Sequence, residues 1–137
     1  MTPEENVKIA QNAYAAFLRG DIAAVLAALD ENIEWKTPES VAMPSAGTLR
    51  GRDQVAGFFQ SVGETWEFQA FEPREYIASG DQVIVRGSYR PRSRQTGSTV
   101  SVDWVMAWRF RDGKVTHFQE YTDSAALRDA LTARASA

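Results

Sequence analysis

Near the N-terminus, apolar residues recur every three to four places. Val7, Ala10, Tyr14, Phe17 and Leu18 fall on one side of a helix. Thr2-Pro3-Glu4-Glu5 starts it: Thr2 caps, Pro3 suits the first turn, and Glu5 completes a capping box. Gly20 ends it. Asp21 caps a second helix carrying Ile22, Val25, Leu26 and Leu29, which Asp30-Glu31-Asn32 closes. The period then drops to two, and Ile33, Trp35 and Thr37 share one side of a short strand. Pro38, Pro44 and Gly47 punctuate a connection over 38–50, and its Val41, Ala42 and Met43 suit either a cavity lid or a passive crossing. Gly51-Arg52-Asp53 opens a third helix with Val55, Phe58, Phe59 and Val62 inward.

Four strands are predicted next, over about 66–78, 82–93, 98–111 and 114–122. They turn at Ser79-Gly80-Asp81, Gln95-Thr96-Gly97 and Asp112-Gly113, the last a strong hairpin signal. Along the third of these strands Trp104, Met106, Trp108 and Phe110 share a face. On the fourth, Thr116, Phe118 and Glu120 form one alternating set, and Val115, His117, Gln119 and Tyr121 the other. Asp123 or Ser124 caps a last helix with Leu127 and Leu131, and residues 133–137 are expected to fray. This order predicts an α+β fold in a single domain, 1–137: a cone of curved, mostly antiparallel sheet around three helices.

Charge and composition narrow the functions. The chain has 137 residues and a net charge of −3, which argues against a nucleic-acid partner. It has no cysteine and one histidine, His117, so thiolate chemistry and a histidine-rich metal site are excluded. Neither metal nor cofactor is expected. No apolar run reaches the roughly 18 residues of a membrane span, and the first residues lack a secretion signal, so a cytoplasmic protein without a membrane partner is expected.

The wide apolar face ending in one carboxylate suggests the wall of a ligand cavity. Trp35, Tyr89, Trp104 and Trp108 would form an aromatic slot, Met106 and Phe118 would continue it, and Glu120 is the candidate general base or acid. The bland alternatives are a solid aromatic core and a hydrated carboxylate at the rim. Arg86, Arg90, Arg92 and Arg94 alternate onto one strand face, read as a solvated outer surface rather than an anion site. On that face Arg86, Ser88, Arg90, Asp103 and His117 surround an apolar strip at Val105 and Ala107, which suits a homodimer.

Several motifs in order resemble the nuclear transport factor 2-like superfamily, in its SnoaL-like, ketosteroid-isomerase-related branch. They are Tyr14-Ala15-Ala16-Phe17 with Gly20-Asp21; Ile33-Glu34-Trp35; Gly51-Arg52-Asp53; Phe71-Glu72-Pro73-Arg74-Glu75; Gly80-Asp81; Asp103-Trp104; Arg111-Asp112-Gly113-Lys114; and Glu120-Tyr121-Thr122-Asp123. The resemblance implies a cone with a pocket at its open end, and often a dimer through the outer sheet faces. Such proteins isomerise, cyclise, hydrolyse epoxides, dehydrate, or only bind. Compared position by position, Thr37 stands where the isomerases carry their base, and Met106 where they keep a protonated acid. Gly87 and Tyr89 stand where limonene-type epoxide hydrolases carry arginine and aspartate. Glu120 alone keeps a matching carboxylate. Tyr14 lies near the isomerases' oxyanion-stabilising tyrosine, one residue out of register when Gly20-Asp21 is the anchor. The implied function is a small-molecule pocket for an apolar, aromatic or polyketide-like ligand. Cofactor-free proton transfer at Glu120 would use Tyr14 or Tyr89 as donor; the alternative is a non-catalytic binding or interaction module.

Overall fold

A computed structural model describes residues 1–38 and 47–134. Helices α1 (Pro3–Leu18) and α2 (Ile22–Ala27) precede strands β1 (Leu29–Thr37) and β2 (Gly47–Arg50). Helix α3 (Arg52–Thr65) leads to β3 (Trp66–Ser79), β4 (Gln82–Ser93), β5 (Val102–Arg111) and β6 (Lys114–Thr122), and α4 (Ser124–Thr132) follows. The strands form one curved, unclosed sheet in the order β2-β1-β6-β5-β4-β3, antiparallel except between β1 and β6. This is the expected α+β cone, with α1, α2 and α3 against its inner face.

The caps form as expected. Glu5 N–H donates to Thr2 Oγ1 at 3.1 Å, and Thr2 N–H donates to Glu5 Oε1 at 3.2 Å. Asp21 accepts from Ala24 N, and Asp123 from Ala126 N. The Gly51-Arg52 pair fastens α3 to β1. Gly51 takes φ of 81°, a conformation suited to glycine, and its N–H donates to the Ile33 carbonyl at 2.9 Å. Arg52 donates to the Leu29 carbonyl through both Nε and Nη2, at 3.0 and 2.7 Å.

Four local expectations need correction. Leu29 belongs to β1, not to the second helix, because Val115 N–H donates to the Ala28 carbonyl and draws the chain into the sheet early. Gly47–Arg50 is not loop but the edge strand β2, paired with Glu34–Thr37. Strand β5 begins at Val102, not near 98, since Ser93 and Arg94 turn through Thr96 and only Thr99 bridges to Arg92. The alternation on β6 breaks at a bulge: Phe110 pairs with Val115 but Arg109 with His117, so Thr116 is extra. Val115 is therefore fully buried, while His117 stays on the outer face. The lid expected around Val41, Ala42 and Met43 lies outside the described residues.

On the outer face the arginines bind their own sheet. Arg86 pairs with Glu75 at 3.5 Å and Arg94 with Glu67 at 3.6 Å, while Arg90 bonds Gln69, Thr99 and Ser101. Such exposed pairs contribute at most about 1 kcal/mol each. Among the described residues, no helix is long and apolar enough to cross a membrane.

Candidate functional site

Sheet register builds the site. In the parallel β1–β6 pair Trp35 lies beside Phe118 and Lys36 beside Gln119. In the antiparallel β5–β6 pair Trp108 opposes Phe118 and Met106 opposes Glu120. The inner face thus carries two cross-strand rows, Trp35 with Phe118 and Trp108, then Glu120 with Met106, and Thr37 also borders the cavity. The first row is locked by ring packing. Trp35 stacks on Phe118 with centroids 3.8 Å apart, and Trp108 meets the same ring edge-on at 4.9 Å. Such pairs stabilise by about 0.5–1.5 kcal/mol beyond their burial.

Above these rows lies a cavity of about 110 Å³. Helix α1 contributes Ala13, Tyr14 and Phe17 to its wall, and α3 contributes Phe58, Phe59 and Val62. Strands β3 and β4 contribute Trp66, Phe68, Phe71 and Tyr89. Of the residues singled out in the sequence, Tyr14, Trp35, Tyr89, Met106, Trp108, Phe118 and Glu120 all border this space. Trp104 does not. Its indole lies down across β4 against Gly87, and Tyr14, Phe71 and Tyr89 cover it, with centroids 5.8, 5.5 and 6.3 Å away. Gly87 permits this: a Cβ there would stand 2.6 Å from the Trp104 ring and closer still to the Glu72 carbonyl oxygen. The glycine at a position where epoxide hydrolases carry arginine is thus occupied by tryptophan packing.

Glu120, half-buried, is the carboxyl among the cavity-lining residues, and the phenols of Tyr14 and Tyr89 line the cavity too. Tyr89 donates its hydroxyl proton to Glu120 Oε2 at 2.6 Å. Burial pushes the Glu120 carboxyl up to about 7, and the Tyr89 hydrogen bond opposes that rise only in part. The same burial and the neighbouring carboxylate push the Tyr89 phenol far above its usual value, so it stays protonated. Tyr89 O–H also lies 3.1 Å from Thr122 Oγ1, which in turn donates to the Asp103 carbonyl. When Glu120 takes up a proton it can donate to Tyr89, whose own proton then turns to Thr122. Both protonation states of Glu120 therefore keep a partner.

Tyr14 does enter the cavity despite its offset from the Gly20-Asp21 anchor. Its hydroxyl accepts from Trp108 Nε1 at 3.0 Å and donates to Met106 Sδ at 3.2 Å. Burial keeps this phenol protonated as well, with the Trp108 hydrogen bond opposing the shift. A thioether is a weak acceptor, so a ligand oxygen competes well for the Tyr14 proton. Tyr89 differs, because its proton is already held by a carboxylate.

Sequence reasoning undervalued Thr122 and the phenylalanines. Thr122 carried no signal, since its role depends on a tyrosine reaching across from β4. Phe17, Phe58 and Phe59 were legible as inward-facing, but not as cavity wall rather than solid core. Thr37 was read only as a missing base, yet it borders the cavity.

Known proteins resemble this chain in sequence and fold along nearly its whole length. An NTF2-like protein of Burkholderia xenovorans LB400 is 39% identical, with 96% of this chain and 99% of that one aligned and a TM-score of 0.86. TerC, crystallised with polyporic acid, is 29% identical over 93% of this chain and 98% of its own, with a TM-score of 0.85. The uncharacterized protein Rv0034 of Mycobacterium tuberculosis H37Rv is 25% identical over 92% of this chain and 95% of its own length. The SnoaL-like domain model matches residues 10–118, and with this fold the chain belongs to the SnoaL-like family of the nuclear transport factor 2-like superfamily.

Proposed function

We propose that the protein binds a small apolar or aromatic molecule in the cavity and moves a proton on it through Glu120. One observation carries this reading: a single carboxyl, adjusted to about 7, sits in an otherwise mainly apolar wall. A carboxyl at that value is half ionised near neutrality, where a group serves equally as general base and general acid. Tyr14 supplies the second element, a neutral donor released from Met106 to a ligand oxygen. Together they suit proton abstraction beside a carbonyl, the first step of a cofactor-free isomerisation or cyclisation. The co-crystallisation of TerC with polyporic acid supports a small-molecule occupant. We place the protein in the cytoplasm as a single functional domain over residues 1–137. A second copy would cover the outer face, where Ile77 and Tyr121 are exposed and Ile77, Ile84 and Ala107 follow one another across β3, β4 and β5.

The test is hydrogen–deuterium exchange at the α-carbon of small cyclic and aryl ketones in D2O, followed by NMR. The protein should accelerate exchange, and Glu120→Gln should abolish the acceleration. A second reading, a binding module without chemistry, draws on the committed state of Tyr89 and the apolar Met106 opposite Glu120. Saturable binding with no exchange above the buffer rate would establish it.

A further inference from the structure

A chain of hydrogen bonds starts at Glu120 and ends on a backbone carbonyl. Tyr89 Oη lies 2.6 Å from Glu120 Oε2 and 3.1 Å from Thr122 Oγ1, and Thr122 Oγ1 lies 3.2 Å from the Asp103 carbonyl oxygen. Three strands hold it. Tyr89 stands on β4, Asp103 on β5, and Glu120 and Thr122, two residues apart, on β6. The Tyr89 ring is fixed by Phe68, Phe71 and Trp104, with centroids 5.6, 5.8 and 6.3 Å away, so its hydroxyl stays between its two oxygen partners. Other charges are remote from the chain. Among the described cavity-lining residues of every element there is no lysine, arginine, histidine or second carboxyl. The other phenol, Tyr14 of α1, is bonded to Trp108 and Met106. The Asp103 side chain is exposed, and the Asp123 carboxylate caps α4.

We propose that Thr122 is a positioning residue for Glu120: acting through Tyr89, it gives the protonated carboxyl a place to donate. This rests on the reading of Glu120 as the working carboxyl of the cavity, and adds what holds that carboxyl in its acid form. The argument is a proton count. Each hydroxyl has one proton to give, and a backbone carbonyl only accepts. With Glu120 protonated, all protons point one way: Glu120 donates to Tyr89, Tyr89 to Thr122, and Thr122 to the Asp103 carbonyl. All three links are then hydrogen bonds. With Glu120 ionised, Tyr89 turns its proton to the carboxylate, and Thr122 serves either Asp103 or Tyr89 but not both. Only two links are then filled. The chain therefore favours the acid, because its far end can never donate. Chains of this kind also strengthen when their dipoles align. Tyr89 alone favours the carboxylate, to which it donates. With Thr122 behind it as an acceptor, Tyr89 serves the acid as well.

The test needs no ligand. The Glu120 carboxyl is titrated by 13C NMR in protein labelled at glutamate, with Glu120→Gln identifying its signal. Thr122→Val keeps the shape and removes the hydroxyl. Its Glu120 midpoint should fall by about one pH unit, a tenfold change in ionisation, as expected for one neutral hydrogen bond lost from the acid form. Thr122→Ser keeps the hydroxyl and should stay within about 0.3 unit of the native protein. Thr122→Ala carries the test if Thr122→Val does not fold. Tyr89→Phe removes the link itself. The midpoint should rise as the carboxylate loses its donor, and adding Thr122→Val should then change nothing further. An unchanged midpoint in Thr122→Val, an equal fall in Thr122→Ser, or a fall that persists beside Tyr89→Phe overturns the role of Thr122 and leaves Glu120 as the cavity's base. A native midpoint at the ordinary carboxyl value overturns the reading of Glu120 itself.

Discussion

Glu120→Gln tests the electrostatics of the site without any knowledge of the ligand. The Glu120 carboxyl has an ordinary value of 4.5 and is raised to about 7 in the fold, chiefly by burial. Each pH unit between those values is worth about 1.4 kcal/mol, so ionising Glu120 inside the protein costs roughly 3 kcal/mol. Between pH 4.5 and 7 the folded protein keeps a proton that the unfolded chain has released. The native state binds more protons, so stability falls as pH rises through that window and levels off above it. Glutamine retains an acceptor for Tyr89 and never ionises. The stability difference, variant minus native, should be constant below pH 4.5 and then climb by up to roughly 3 kcal/mol in the variant's favour by pH 8. Urea unfolding followed by tryptophan fluorescence from pH 4 to 8.5 measures it, and Trp35 and Trp108 report from the cavity wall. Taking the difference cancels every other titrating group. A difference that stays flat across this range would refute the burial argument, and with it the case for Glu120 as a base tuned to neutrality.

Three further perturbations follow from the packing. Thr37→Val removes a buried hydroxyl without a partner and should stabilise the protein by about 1 kcal/mol in the same unfolding assay. Gly87→Ala forces Trp104 or the Glu72 carbonyl to move and should destabilise by about 2 kcal/mol or more, measured by thermal unfolding. Light scattering at micromolar concentration should give a dimer mass that Tyr121→Lys with Ile77→Lys reduces to a monomer's, and a native monomer would sink the outer-face interface.

Fold legibility followed the strength of local signals. Capping residues and periodic apolar positions located α1, α3 and α4, and the Asp112-Gly113 turn located the β5–β6 hairpin. The misread segments were those whose structure comes from distant pairing. Leu29 continues a helical apolar pattern, and only the hydrogen bond from Val115 makes it strand. Gly47–Arg50 is polar and glycine-bearing, and becomes a strand because β1 offers an open edge. The β6 bulge at Thr116 was hidden because strict alternation fits Thr116, Phe118 and Glu120 equally well; only the pairing with β5 exposes the extra residue.

The site shows the same division in its chemistry. That Glu120 faces the cavity was readable, because alternation from Phe118 requires it. Its titration value was not, since that depends on how far the surrounding elements screen a half-buried carboxyl from water and on a tyrosine reaching from β4. Comparison by residue type makes Thr37, Met106 and Gly87 look like losses. Packing gives two of them a positive role: Met106 holds the Tyr14 proton loosely and Gly87 makes room for Trp104. A site stripped of function would be expected to fill its cavity and satisfy its polar atoms, since both changes stabilise. This one keeps a void of about 110 Å³, two unpaired buried donors and a carboxyl that costs stability when it ionises. The void and the carboxyl support the proposed reading of a ligand site, whereas unpaired buried polar atoms do not single it out, since Asn6 Oδ1 and Trp104 Nε1 lie outside the cavity lining.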